Sequence, residues 1–284
     1  IICFSVSGET TELIEQLNIS GHGGYLDIYA PFEVSEIKPK LRPAMLVMAG
    51  GGYSFVSRRE SAPVAFKYVA NGYCAFVLDY SVNTAYPVPL VEACMAIAYI
   101  RENASKYRVD KNLVAAVGFS AGGHLAAMLA NICDEKEVVE ILGDRAQTAK
   151  LNAVVLSYPV VTMGRFANEF SRNIITGNNP DLYEKLSMEK RVTADSVPAF
   201  IWHTFEDDCV PVENSFMLAE AYRRANVPIS LHIFEKGWHG LSLCSEEVND
   251  QTAAEIQLEY IGKWFELSLD WLKARGFCVK TAEK

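Results

Sequence analysis

Strand-sized apolar runs alternate with helix-patterned stretches along most of the chain, and this alternation restricts the fold more than any other feature. Ala44 to Ala49, Tyr73 to Leu78, Leu113 to Val117, Ala153 to Leu156 and Ala199 to Trp202 are almost uniformly apolar. Strands buried on both faces read this way. Ile229 to Phe234 adds another strand-sized run. Between these runs, Ala62 to Ala70, Leu90 to Ala104, Ala121 to Asn131, Glu213 to Ala225 and Ala253 to Ala274 carry helical spacing. Parallel strands must be joined by crossovers, usually helices, so the rhythm predicts an α/β fold: a mostly parallel central sheet with helices on both faces. Tyr25 to Ala30 instead alternates apolar and polar residues, the pattern of an antiparallel strand.

One segment breaks the rhythm. Thr162 to Val197 is rich in Asn, Arg and Ser, with a weak helical signal only near Asp181 to Met188. It reads as a cap-like insertion, about 162–197, over the sheet of a single domain spanning 1–284. The chain has 284 residues and 50% hydrophobic content, enough for one large core. No apolar run, Ala44 to Ala49 included, approaches the roughly 18 residues that cross a bilayer, so no membrane partner is expected. The net charge, 26 − 35 = −9, repels nucleic acid. Seven cysteines, at 3, 74, 94, 133, 209, 244 and 278, form no C-x-x-C pair. An odd, scattered set reads as reduced thiols of a cytoplasmic protein, not as a disulfide frame or a zinc site. No metal motif is present, and no cofactor is expected.

Four strand ends carry the chemistry. Gly118-Phe119-Ser120-Ala121-Gly122 lies between a predicted strand and a predicted helix. A nucleophilic serine must stand clear of the sheet on a tight turn, and flanking glycines let the backbone pass without Cβ clashes. The following helix aims free N–H groups at the site. The same pattern occurs as an incidental turn, but the strand–turn–helix context favours the nucleophile. Ala49-Gly50-Gly51-Gly52-Tyr53 follows the strand at 44–49. Its backbone suits an oxyanion hole, and the phosphate-binding G-x-x-x-x-G-K-[ST] pattern is missing. Gly237-Trp238-His239-Gly240 places a histidine on a loop past the strand at 229–234. His22, His124, His203 and His232 read as structural. Glu206-Asp207-Asp208 follows the strand at 199–202, and chemistry alone leaves the choice among the three acids open. Ser, then acid, then His is the chain order of α/β-hydrolases, unlike that of chymotrypsin-like or subtilisin-like enzymes.

With these motifs in hand, the sequence resembles the esterase/lipase branch of the α/β-hydrolase superfamily. It is most similar to small bacterial carboxylesterases that include acetyl esterases and carbohydrate esterases. The resemblance runs from about Leu41 to Leu272. It rests on G-G-G-Y at Gly50–Tyr53, S-R-R-E at Ser57–Glu60, L-D-Y at Leu78–Tyr80, G-F-S-A-G-G-H-L at Gly118–Leu125 and S-Y-P-V at Ser157–Val160, with W-H-T and E-D-D-C-V-P-V-E-N-S between Trp202 and Ser215 and G-W-H-G-L from Gly237. The family's D-x-x-V-P pattern implies Asp207 as the acid, ahead of Val210 and Pro211, with Asp208 in reserve. The resemblance also implies backbone oxyanion donors at Gly51, Gly52 and Ala121. Ala49 stands where many relatives have histidine before the three glycines, a departure from the H-G-G-G subgroup.

The expected catalytic set is therefore Ser120, Asp207 and His239, acting through an acyl-enzyme on a small-molecule ester, with no metal. Tyr53, Phe166 and Phe170 are candidate substrate contacts, and Tyr183 could join them. No long apolar lid helix suggests a triglyceride lipase, so a short acyl group is expected, acetyl on a sugar or small alcohol. Three rivals are weighed. Amide or peptide hydrolysis would use the same triad. Glycoside hydrolysis by paired carboxylates leaves Ser120 and the glycines unexplained. A catalytically silent binding protein should have lost a triad member, and none is lost. A homo-oligomer is compatible with the sequence.

Overall fold

The computed structural model describes residues 3–6, 9–18, 24–31, 36–249 and 258–282. Strands β1 (Cys3–Val6), β2 (Glu9–Asn18), β3 (Tyr25–Pro31), β4 (Lys40–Met48), β5 (Cys74–Asp79), β6 (Val109–Phe119), β7 (Ala153–Ser157), β8 (Ala199–Thr204) and β9 (Ile229–Phe234) form one sheet in the order β1-β2-β3-β5-β4-β6-β7-β8-β9. A short strand β10 (Lys280–Thr281) pairs with β4. From β5 through β9 every neighbour is parallel, whereas β1, β2, β3 and β5 pair antiparallel. This is the α/β-hydrolase sheet that the alternation predicts, with Tyr25 to Ala30 antiparallel as its pattern requires.

Helices α1 (Ala62–Ala70), α2 (Val88–Glu102), α3 (Ala104–Tyr107), α4 (Ala121–Ile132), α5 (Lys136–Leu142), α6 (Glu169–Thr176), α7 (Leu182–Lys185), α8 (Glu213–Arg224), α9 (Leu258–Gly262) and α10 (Trp264–Lys273) complete the chain. They cover both faces. Alternate strand residues divide accordingly: Leu46, Val114, Ala116 and Val154 belong to one core with α2 and α4, while Met45, Ala115, Val117 and Val155 belong to another with α1 and α10. A side-chain period of two sends neighbours to opposite faces, so uniformly apolar runs supply both cores at once.

Three differences from the sequence reading stand out. The final helix expected over 253–274 is divided into α9 and α10 at Lys263, just after Gly262, and its first residues lie outside the described set. The insertion between β7 and β8 holds a further helix, α6, ahead of the weakly signalled one. Beyond the expected strands, β1 and β2 extend the sheet at one edge. Among the described residues, no helix is long and apolar enough to cross a membrane.

Candidate active site

β6 runs straight into α4 through Ser120, whose backbone sits at φ 53° and ψ −118°. A non-glycine residue pays about 1–3 kcal/mol for such a conformation, and it persists only where the surroundings enforce it. Here they do. The Ser120 N–H donates to Ser157 O at 3.0 Å, and Ser120 O accepts from the N–H groups of His124 and Val160. Gly122 is obligatory for packing, because a Cβ there would lie 2.2 Å from Met48 O. The start of α4 is thereby pressed against the end of β4, beside the glycine loop.

His239 joins two strand ends. Its Nε2 lies 2.7 Å from Ser120 Oγ, and its Nδ1 lies 2.6 Å from Asp207 Oδ2. A carboxylate can only accept, so Nδ1 carries the proton and Nε2 faces the hydroxyl. Asp207 Oδ1 accepts from the N–H groups of Cys209, at 3.0 Å, and Val210, at 2.8 Å. Burial alone would raise the Asp207 carboxyl pKa. Hydrogen bonds from His203 and His239 outweigh it and hold the group well below the usual carboxylate value.

The three consecutive acids have separate situations. Glu206 pairs with Lys236 on the surface, Asp208 is exposed, and Asp207 alone is turned inward to the imidazole. The turn thus separates three acids of like chemistry by burying one of them.

The glycine loop faces this line. Gly51 adopts φ +126°, and a Cβ there would stand 2.1 Å from Phe55 O. The N–H groups of Gly51, Gly52 and Ala121 donate to no described partner. Gly50 N–H, by contrast, donates to Glu60 Oε2 at 2.8 Å. Glu60 is buried, and its Oε1 accepts from Tyr158 Oη at 2.6 Å. Tyr158 Oη in turn accepts from Ser242 N–H at 2.9 Å, three residues past His239. One carboxylate therefore braces the glycine loop on one side and the histidine loop on the other. Glu60 and Tyr158 sit in the S-R-R-E and S-Y-P-V motifs, but nothing local in the sequence reveals that they meet.

The cleft at Ser120 has a volume of about 250 Å³ and is lined by Gly51, Gly52, Phe55, Arg59, Phe170 and His239, among others. Of the expected substrate contacts, Phe170 lies in this wall, 58% exposed. Tyr53 does not: it is fully buried, with its hydroxyl 2.8 Å from His124 Nδ1. Such a buried phenol needs a polar partner in the core, and here it finds one away from the cleft. Phe166 lies outside the lining as well, half-buried, with Arg165 over its ring. Tyr183 is likewise outside it, covered by Arg172.

The remaining histidines divide as follows. His124 is buried, donating from Nε2 to Leu186 O at 2.8 Å, and burial pulls its pKa down to about 4. His232 stacks on Phe200 at the outer strand β9. His203 reaches Asp207. His22 lies outside the described residues.

A mostly parallel sheet with a serine on a strained turn, facing an imidazole and a buried carboxylate at one rim, defines an α/β-hydrolase. The chain belongs to the BD-FAE family, whose match spans residues 26–222, and it lies in the esterase branch of that superfamily. It is 35% identical over 240 residues to endo-1,4-beta-xylanase B of Butyrivibrio fibrisolvens, covering 80% of this chain but 36% of that protein. The crystal structure of an acetyl ester-xyloside bifunctional hydrolase from Caldicellulosiruptor lactoaceticus superimposes with a TM-score of 0.75 at 33% identity, covering 90% of this chain and 89% of that one. A carboxylesterase from Lactobacillus plantarum WCFS1 gives a TM-score of 0.82 at 29% identity, covering 96% and 99%. The chain spans only about a third to a half of the first curated relatives it matches, at 36% and 50% of their lengths.

Proposed function

We propose that the chain is a serine carboxylesterase acting on short acyl esters, acetyl esters of carbohydrates foremost. His239 Nε2 takes the proton of Ser120 Oγ as the oxygen attacks the ester carbonyl. The oxyanion is held by the N–H groups of Gly51, Gly52 and Ala121. The imidazolium, oriented by Asp207, gives its proton to the departing alkoxide. Water then attacks the acyl-enzyme with His239 again as base, releasing the acid and restoring Ser120. The observation that carries this reading is the unbroken line from Ser120 Oγ through His239 to Asp207, at 2.7 and 2.6 Å, beside three unengaged backbone donors.

The cleft of about 250 Å³ favours a small acyl group. The carbohydrate side of the proposal is supported by the similar structure named as an acetyl ester-xyloside bifunctional hydrolase. Glycoside cleavage needs two free carboxylates across the bond, whereas Asp207 and Glu60 are both held in place by protein N–H and O–H donors.

The test is hydrolysis of 4-nitrophenyl acetate, longer acyl homologues, acetylated xylo-oligosaccharides and an aryl amide by the purified chain and its Ser120→Ala variant. Activity on acetyl esters that disappears with Ser120 supports the reading. Undiminished turnover by the variant contradicts it, and preference for the amide would move the chain to the amidase class.

A further inference from the structure

We propose that His203 is a positioning residue of the site, its Nε2–H fixing Asp207 Oδ2 in the orientation that His239 requires. The inference rests on the triad reading above and adds a fourth side chain to it. His203 lies near the end of β8 and is completely buried. Its Nε2 faces two acceptors, Asp207 Oδ2 at 3.2 Å and Val210 O at 3.0 Å. Neither can donate, so Nε2 must carry the proton. Nδ1 lies 2.8 Å from Ser215 Oγ, near the start of α8. Ser215 Oγ meets no other acceptor among the described residues, so its hydroxyl donates to Nδ1 and selects the Nε2–H tautomer.

The consequence is geometric. Asp207 Oδ1 is held by two backbone N–H groups of its own turn, and Oδ2 is shared by two imidazole N–H groups from different elements. With both oxygens engaged, the carboxylate plane cannot rotate. Removing the His203 donor leaves one Oδ2 lone pair vacant in the interior and releases the Val210 carbonyl from the same clamp. Asp207 would still be held at Oδ1 by its own turn, but Oδ2 would be fixed by His239 alone, so its position would no longer be set independently of the imidazole that it orients. Groups that act through an orienting hydrogen bond lose rate when the bond goes, without losing substrate affinity.

The experiment compares His203→Leu, which removes the donor, with His203→Gln, whose amide N–H can reach the Nε2 position. Both are assayed as purified full chains with 4-nitrophenyl acetate, with active sites counted by a fluorophosphonate. In His203→Leu, kcat should fall about 10- to 100-fold with KM within about 2-fold, the size expected for one hydrogen bond to a charged group. His203→Gln should keep kcat within about 5-fold of the parent. The low-field proton resonance of the His239–Asp207 hydrogen bond should move in the leucine variant and stay in the glutamine variant. If the leucine variant does not fold, Ser215→Ala carries the test, since it removes only the hydroxyl that anchors the ring at Nδ1; it should lower kcat about 3- to 10-fold and shift the same resonance.

Equal kcat loss in the leucine and glutamine variants, or an unmoved resonance with unchanged kcat, overturns the proposal. Ser120→Ala is run in parallel. If it stays active, the triad reading itself has failed; if it is dead while His203→Leu is unimpaired, only the role of His203 has failed.

Discussion

The rim of the sheet and the insertion above it meet at one cleft, yet they are built differently. At the rim, polar atoms hold one another. Asp207 accepts four N–H donors, Glu60 joins the glycine and histidine loops through Tyr158, and the Ser120 backbone is bonded on both sides. In the wall that the insertion contributes, the Phe170 ring lies largely open to solvent against Gly52. Ser171 Oγ has no described partner, its backbone N–H being held by the Asn168 cap of α6. Hydrogen bonds tie the regions together: Asn214 accepts from the Val161 and Thr162 N–H groups and donates to Phe166 O, and Asn168 donates to Cys209 O in the acid loop. The difference suggests a division of labour in which the rim sets the chemistry and the insertion leaves room for substrate.

That division can be broken or sharpened experimentally. The largest effect should come from Ser120→Ala, a loss of about 10⁴-fold or more in kcat for 4-nitrophenyl acetate without loss of fold. Residual activity of more than a few per cent would move the chemistry away from the rim. Asp207→Asn should cost about 10⁴-fold by offering the wrong hydrogen-bonding partner to His239, whereas Asp208→Asn should change kcat less than about 2-fold. Reversal of that pair would transfer the acid role to the exposed neighbour.

A third prediction concerns stability. His124 is buried with a pKa of about 4, against 6.5 for the ordinary group. Between those values the unfolded chain binds a proton that the folded chain does not, so stability declines as pH falls from about 6.5 towards 4. The slope from this one group should approach 1.4 kcal/mol per pH unit. Urea titrations of the parent and His124→Gln would show it: the variant's curve should be flatter over that range, and equal slopes would remove His124 as the cause. The smallest effect is expected from the insertion. Phe170→Ala should raise KM for an acetylated oligosaccharide about 3- to 10-fold and leave 4-nitrophenyl acetate within about 2-fold. An equal drop on both substrates would erase the distinction between the two regions.

Much of the sheet was legible because β4 to β8 are buried on both faces and read as continuous apolar runs. α6 was not, because Glu169–Thr176 is mostly polar and is fixed by its Asn168 cap and its contacts. β2 carries Glu and Thr through Glu9–Asn18 and offers no apolar core face to recognise. In the site, Ser120 and His239 were visible through their glycines and strand ends. The roles of Glu60, Tyr158 and His203 were hidden, since Glu60 meets Tyr158 across 98 positions in the chain and no local pattern encodes such a pairing. Tyr53 misled for a related reason. Its place beside the glycine run suggested a substrate contact, but its positive φ and its bond to His124 take it into the core.

The central claim is that Ser120 is activated by His239, and the most direct measurement is the site of attack by a fluorophosphonate, read by peptide mass mapping. The account predicts one adduct per chain, on the peptide holding Ser120, absent in Ser120→Ala and formed far more slowly in His239→Gln. An adduct on another residue, or none in a preparation that still hydrolyses esters, would contradict it.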